Sequence, residues 1–559
     1  MAKRKRGAQG GPAGQARDVP PLDNQAVNEL VGLLDSGRFI EAILIMEELL
    51  QSYPREPILY KLLGMAYGEV GDLAGAAERW EEAQRLDPDD PSLWRLLAGV
   101  YQAQGRIVNA LRALRRYLSE DPDDEELAQV VEARDALEAA LDELAQTHHV
   151  SKAEAERGGL LLERGLAAMG TEDYLGAARQ FRDAARVIPG WTAPLNNLAL
   201  CQFQLGNTDQ ALAGTEQVLS SAPDDVNALS ALVRFLTILG RQAEAKAQAD
   251  RLWALAQAAP TPAADDVAVP RFEFDRAANA FAFLAQDQRV IDMLERQPRD
   301  ALSDSGLLYL GAALANVNRK PAALDVLKEL EPHPVATQLA EAIRLNETPP
   351  GRRFPAISPG ELLPGAVGER AAKEFTAIEE MADEQERRAA VVAFLDRMPT
   401  FLPAFVESLW IGDEVASANS VAILLQIGTP EAIEAVRTFA FGRLGPDDTR
   451  LHAALALRRA GHVEGNRPLL LWQDGRYQEM IPPRYEVSNG PEERDQPYPP
   501  AIARLMEKAL ERREREDIEG SQRFYRQVLA QDPTIVEAEQ HLGLFALMEG
   551  DQAAAEQYF

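Results

Sequence analysis

The chain has one cysteine, Cys201, in 559 residues. An internal disulfide is therefore excluded. A lone thiol beside Leu198, Ala199 and Leu200 reads as a buried core residue in a reducing compartment, the cytoplasm. No run of 18 uncharged apolar residues occurs, so no segment is expected to span a membrane. The opening, MAKRKRGAQGGPAGQARDVPP, has the charges of a secretory signal but lacks the apolar stretch that follows them in one. Cations are also short: 58 Lys and Arg stand against 88 Asp and Glu, a net charge of −30. A body this acidic offers phosphates no basic face, which argues against nucleic acid as a partner. The exception is the tail with Lys3, Arg4, Lys5 and Arg6, where the reading is a solvated, disordered segment with at most a weak contact to RNA or an acidic surface.

Histidine is sparse too. No pair among His148, His149, His333, His452, His462 and His541 combines a helical metal-ligand spacing with a carboxylate or cysteine beside it. His148 and His149 close a predicted helix, where a cation suits the helix dipole. No Walker loop, dinucleotide fingerprint or G-x-S-x-G elbow occurs. The acidic turns Asp87–Asp90 and Asp121–Asp124 lack the glycine and closing glutamate of a calcium loop and read as turns that cap the next helix. No metal, cofactor or catalytic activity is expected.

What the chain does have is a period. Pro54, Pro88 and Pro122 lie 34 residues apart, and Ala42, Ala76 and Ala110 keep the same spacing, as do Gly37, Gly71 and Gly105. Each glycine ends an amphipathic stretch and each alanine sits early in the next, so the unit is helix, turn, helix, turn. In the copy from Glu56 to Asp90 the first helix carries Leu63, Gly64 and Tyr67, and the second carries Ala76, Trp80 and Ala83. The next copy has Leu97, Ala98, Tyr101, Ala110, Leu114 and Tyr117. Small residues allow two helices to cross closely, and large ones fill the space beside the crossing. Proline then stops the hairpin. These residues resemble the tetratricopeptide repeat. The register recurs at Ala177, Ala211 and Ala245 and at Pro189 and Pro223, with Phe181 in the slot of Trp80 and Gln202 in the slot of Tyr67. Weaker copies lie over Phe274–Gln297 and Ser303–Val335.

The expected fold class is all-α, a right-handed helical-hairpin solenoid. Its parts are a disordered basic tail (1–22), a first array with a long spacer helix over Asp123–Gln146 (23–147), a second array (152–258) and degenerate copies (259–345). Five prolines over 346–368 then mark a linker. Within 369–465, VASANSVAILLQIG (Val415 to Gly428) is echoed 33 residues on by DTRLHAALALRRAG (Asp448 to Gly461). That pair resembles HEAT-type repeats of the phycobilin lyase-like kind. The loop 466–500 contains Asp474-Gly475 between two strand-like runs, a two-residue hairpin signal, and Tyr485–Val487 is a candidate third strand. Repeats resume over 501–559, and Phe559 falls halfway along a second helix, which reads as a truncation.

No chemistry emerges, so the function is read from a surface. In tetratricopeptide arrays the first helices line a concave groove for a partner's extended or helical segment. The resemblance implies that Lys61 and Arg95 face that groove one repeat apart. Asn196 and Ser230 hold the same slot in the second array, and Arg234 lies one helical turn beyond. Cations in a groove of so acidic a chain suggest a partner segment with carboxylates. The reading is a non-catalytic scaffold for other proteins. Its alternatives are the regulatory portion of a larger protein with an effector domain beyond residue 559, and a lyase-like or chaperone role for the HEAT-like segment.

Overall fold

The computed structural model describes residues 22–120, 127–259, 273–330, 333–464, 468–480, 498–515, 517–533 and 535–548, with 554, 555 and 558. The chain divides into two compact units, 1–481 and 482–559. The basic tail lies outside the described residues.

The first unit opens with three helical hairpins: α1 (Asn24–Asp35) with α2 (Phe39–Ser52), α3 (Pro57–Glu69) with α4 (Leu73–Leu86), and α5 (Pro91–Ala103) with α6 (Ile107–Ser119). Each turns at a glycine in the left-handed region, Gly37, Gly71 and Gly105, with φ of 73°, 82° and 70°. Side chains other than glycine strain that conformation, which is why the period is marked by glycine. Within a hairpin, volume is traded across the crossing. A Cβ on Gly64 would run into the Trp80 indole, one on Gly165 into the Phe181 ring, and one on Gly311 into Leu327, always 16 residues on.

The expected spacer is α7 (Leu127–Thr147), a single helix; residues 123–126 of that expectation lie outside the described residues. The second array follows as α8 (Lys152–Gly170), α9 (Tyr174–Val187), α10 (Thr192–Gln204), α11 (Thr208–Ser221), α12 (Val226–Ile238) and α13 (Gln242–Ala258). Helix α8 packs on α6 as well as α7. Its Glu163 accepts hydrogen bonds from the backbone N–H of Val108 (2.5 Å) and of Asn109 (3.0 Å), satisfying two free donors in the first turn of α6. The two arrays are thereby joined directly, across the spacer.

The degenerate copies fold as hairpins: α14 (Phe274–Phe283) with α15 (Asp287–Leu294), and α16 (Asp304–Asn316) with α17 (Lys320–Leu327), followed by α18 (Pro334–Arg344). Their turns hold Ala285 and Asn318 at φ of 55° and 64°, as Glu172 does at 61° between α8 and α9, where the first array has glycine.

The proline-rich segment 346–368 departs from the expected linker. Phe354, Ile357 and Leu362 are 7%, 7% and 8% exposed, within one apolar cluster that runs from Leu229 to Leu471. Proline and glycine keep this stretch from forming long helices, but its apolar side chains still reach the core. Before α20 begins at Gly365 it forms one short helix, α19 (Pro359–Leu362), set by a capping box between Ser358 and Glu361. Three more hairpins follow: α20 (Gly365–Glu379) with α21 (Glu384–Arg397), α22 (Phe401–Ile411) with α23 (Glu414–Ile427), and α24 (Pro430–Phe441) with α25 (Asp447–Arg459).

Strands β1 (Leu469–Gln473) and β2 (Arg476–Met480) form an antiparallel hairpin with Gln473 opposite Arg476. Asp474 and Gly475 both have positive φ, 51° and 75°, as a tight two-residue turn requires. The buried Arg450 guanidinium holds the hairpin to α25 by donating to the carbonyls of Gly445 (2.6 Å) and Trp472 (2.5 Å). The candidate third strand, Tyr485–Val487, lies outside the described residues.

The second unit contains α26 (Pro500–Glu514), α27 (Ile518–Gln531) and α28 (Val536–Met548) around a core of Tyr525, Leu542 and Phe545. Leu542 and Phe545 are buried, whereas Leu544 is 49% exposed. The remaining second helix of that last repeat lies largely outside the described residues.

Candidate partner-binding groove

The first helices of adjacent repeats, α3 and α5, stand side by side with α4 behind them. Between them lies a groove of about 650 Å³. Small residues open it: Gly68 on α3, and Gly99 and Ala103 on α5, all line it. A Cβ at Gly99 would meet nothing within 4 Å. Met65, Leu73, Ala76, Trp80 and Leu96 add apolar lining, and Lys61 and Arg95 line the groove as well.

The Lys61 charge is already paired within the protein. Its ammonium donates to Asp90 Oδ2 (2.7 Å) and to Ser92 Oγ (2.5 Å). Asp90 also caps α5, accepting from the Ser92 backbone N–H at 2.9 Å. Burial pushes the Asp90 carboxyl up, but the bonds from Lys61 and Ser92 outweigh it and hold the group below the usual carboxylate range. The same lock appears in the second array. Asn196 Nδ2 donates to Asp225 Oδ1 at 3.0 Å, and Asp225 caps α12. In both cases the aspartate lies 29 residues beyond its partner. Sequence reasoning recognised the acidic turns as helix caps but missed their second role. The signal was that fixed 29-residue offset from a polar residue of the preceding first helix.

Arg234 is half-buried. Burial drives its guanidinium pKa down, and the carboxylate of Glu361 opposes that. The guanidinium lies over the Phe283 ring, 5.4 Å from its centroid. Ser230 is 3% exposed, and among the described residues its hydroxyl has no hydrogen-bond partner. The cover is the proline-rich segment. Asn279 Nδ2 donates to Tyr309 Oη (2.7 Å) and to Glu361 Oε1 (3.2 Å). Asn316 grips the main chain of Phe354 from both sides. It donates to the Phe354 carbonyl at 3.1 Å and accepts from the Phe354 N–H at 2.7 Å. Arg353 pairs with Asp287 at 2.6 Å. Lys61 and Arg95 thus share one groove, Asn196 sits in an inter-repeat lock, and Arg234 is half-buried over the Phe283 ring.

Cys201 is fully buried, and burial alone pushes its thiol up to about 12. Among the described residues there is no cluster of three or more His, Cys, Asp or Glu placed to hold a metal. Among them, too, no single helix is long and apolar enough to cross a membrane.

The tetratricopeptide repeat family profile matches residues 69–134, which include the glycine turns and α5 of this groove. No curated protein matches the sequence. Among solved structures the chain is similar to a tetratricopeptide repeat protein from Parabacteroides merdae, at 16% identity over 57% of this chain and 100% of that one, with a TM-score of 0.25. Yeast Tom70 is similar at 13% identity over 78% of this chain and 95% of that one, with a TM-score of 0.24. The TPR2AB domain of yeast Sti1, solved in complex with pHSP90, is similar at 16% identity over 42% of this chain and 92% of that one, with a TM-score of 0.19. At such scores the fold assignment rests on the helix packing of the chain itself and on the matched repeats.

Proposed function

We propose that the protein is a non-catalytic scaffold of the cytoplasm that holds segments of other proteins in the groove between α3 and α5. The observation that carries this reading is the groove itself: an open, mostly apolar trough, floored by Trp80 and kept free by Gly99. Such a trough suits the apolar face of an extended or helical segment. The acidic partner inferred from Lys61 needs revision here, because Asp90 already neutralises that cation. For residues 369–465 we retain the HEAT-like reading as part of the scaffold, supported by the three successive hairpins α20 to α25.

Gly99→Trp tests the groove. The new side chain enters open space, and replacing glycine inside a helix adds a few tenths of a kcal/mol of helix propensity, about 0.5 or less. The variant should therefore melt at or above the wild-type temperature. Affinity capture followed by mass spectrometry should lose at least one partner that the wild type retains. An unchanged partner set from a fully folded variant would rule this groove out as the binding face.

A further inference from the structure

The residues six before each hairpin turn mark the same place on successive first helices. In the first array they are Met65 and Gly99, before Gly71 and Gly105, and both line the open groove. At the end of the second array and in the first degenerate copy they are Arg234 and Asn279, before Gly240 and Ala285. There the equivalent face is covered by residues 351–363, hereafter the strap.

The strap is held as a ligand peptide would be. The Asn316 carboxamide pairs with the N–H and C=O of Phe354, reading extended main chain and not a particular side chain. Glu361 supplies a carboxylate to Asn279, and the same carboxylate acts on the half-buried Arg234. Phe354, Ile357 and Leu362 supply the apolar contacts. Charge complementarity is local: the face offers a guanidinium and an amide, and the strap brings the carboxylate.

Two further features separate the strap from an ordinary core segment. On the side of α22 and α24 it borders a cavity of about 840 Å³, lined by Thr400, Leu402, Val406 and Glu407. Thr400 Oγ1 and Glu407 Oε2 are buried there with no hydrogen-bond partner among the described residues. A core segment is packed on all sides at near-crystalline density, and this one is not. Left-handed backbone also flanks it, with Arg352 at φ 60° near its start and Gly365, two residues past its end, at φ 45°. For Arg352 that conformation stores strain on the order of 1 kcal/mol, which releasing the strap would relieve.

We propose that the strap is a displaceable occupant of a second binding face, formed by α12, α14 and α16. The partner that displaces it is an extended protein segment carrying an aromatic residue and, about seven residues later, a carboxylate, as Phe354 and Glu361 do. This rests on the reading of the first helices as binding faces but not on the groove between α3 and α5.

The test uses the full chain and a fluorescent synthetic peptide of the strap sequence, Gly351 to Pro364. In the wild type the tethered strap competes from the same molecule, so the peptide binds weakly. Phe354→Ala with Glu361→Ala unlatches the strap and leaves the face intact. Apparent affinity should rise about tenfold or more, as expected when the competent state becomes dominant. Adding Asn316→Ala should abolish the gain. In the wild type, hydrogen exchange should show the strap amides opening independently of α16 and α22. The proposal is overturned if the unlatched variant binds the peptide no better than the wild type. It is overturned equally if that variant melts α12 to α18 together, or if the strap amides exchange only with global unfolding. Gly99→Trp should leave peptide binding unchanged, so failure of one reading is told apart from failure of the other.

Discussion

At the scale of single residues, the polar side chains of the first helices divide by what they meet. Lys61 and Asn196 occupy the same slot and serve the same end, a bond to the aspartate that caps the next first helix. They fix the register between repeats, and a groove exists only if that register holds. Asp90 carries two duties, so Asp90→Ala should cost roughly 1–2 kcal/mol, an N-cap plus a charge-assisted bond. Both partners are about one-quarter exposed, which keeps the ion-pair share small. Its pH dependence has a definite sign. The folded Asp90 carboxyl sits below its ordinary value of about 3.9, so its contribution is complete above that value. It is lost as pH falls through the depressed folded value. Urea midpoints at pH 7 and pH 3 should show the wild type losing more stability than Asp90→Asn. Equal losses would mean that the Lys61 bond contributes nothing. Lys61→Glu places a carboxylate against Asp90 and so disturbs folding and binding together, which makes Gly99→Trp the cleaner probe of the groove.

At the scale of an element, three of the hairpins are set by a glycine facing a large side chain 16 positions on. Gly64→Ala forces the Trp80 indole to move, and its Nε1 donates to the Lys61 carbonyl at 3.0 Å. Overpacking of this kind costs about 1–3 kcal/mol. Because stacked repeats couple mainly to neighbours, hydrogen exchange should loosen α3 to α6 and leave α14 to α18 unchanged. Uniform loosening of the whole first unit would contradict that modularity. These hairpins were legible in the sequence because their determinants are local: a glycine at the turn, a proline after it, and a small–large pair at fixed spacing. The copies that read as degenerate lacked part of that local signal, since Ala285 and Asn318 make the left-handed turn without glycine, as Glu172 does in the second array. Asp474-Gly475 announced the β-hairpin on the same terms. The strap was not legible. Its prolines and glycines describe what the backbone avoids, whereas its burial depends on Asn279 and Asn316, far back in the sequence. The surroundings of Arg234 were hidden for that reason: the carboxylate that acts on it, Glu361, comes more than a hundred residues later.

At the scale of the whole molecule, the chain comprises two units with separate cores, and they differ in what reports on them. All six tryptophans, Trp80, Trp94, Trp191, Trp253, Trp410 and Trp472, belong to the first unit. In the second, His541 stacks on the buried Tyr525 with ring centroids 4.6 Å apart, and Arg513 approaches its Nδ1 at 3.5 Å. Burial, and then the Arg513 charge, push the His541 imidazole below its ordinary value, while Glu537 pulls weakly the other way. A depressed histidine contributes stability that is present above its unfolded value of about 6.5 and is lost as pH falls through the folded one. Thermal unfolding followed by far-ultraviolet circular dichroism should therefore contain a component that tryptophan fluorescence does not see. That component should move to lower temperature between pH 7.5 and pH 5.5. His541→Phe keeps the aromatic stack and removes the proton, so it should abolish most of the shift. Transitions that coincide by both probes at both pH values would show that the two units unfold as one cooperative body, and the independence of their cores would then have to be given up.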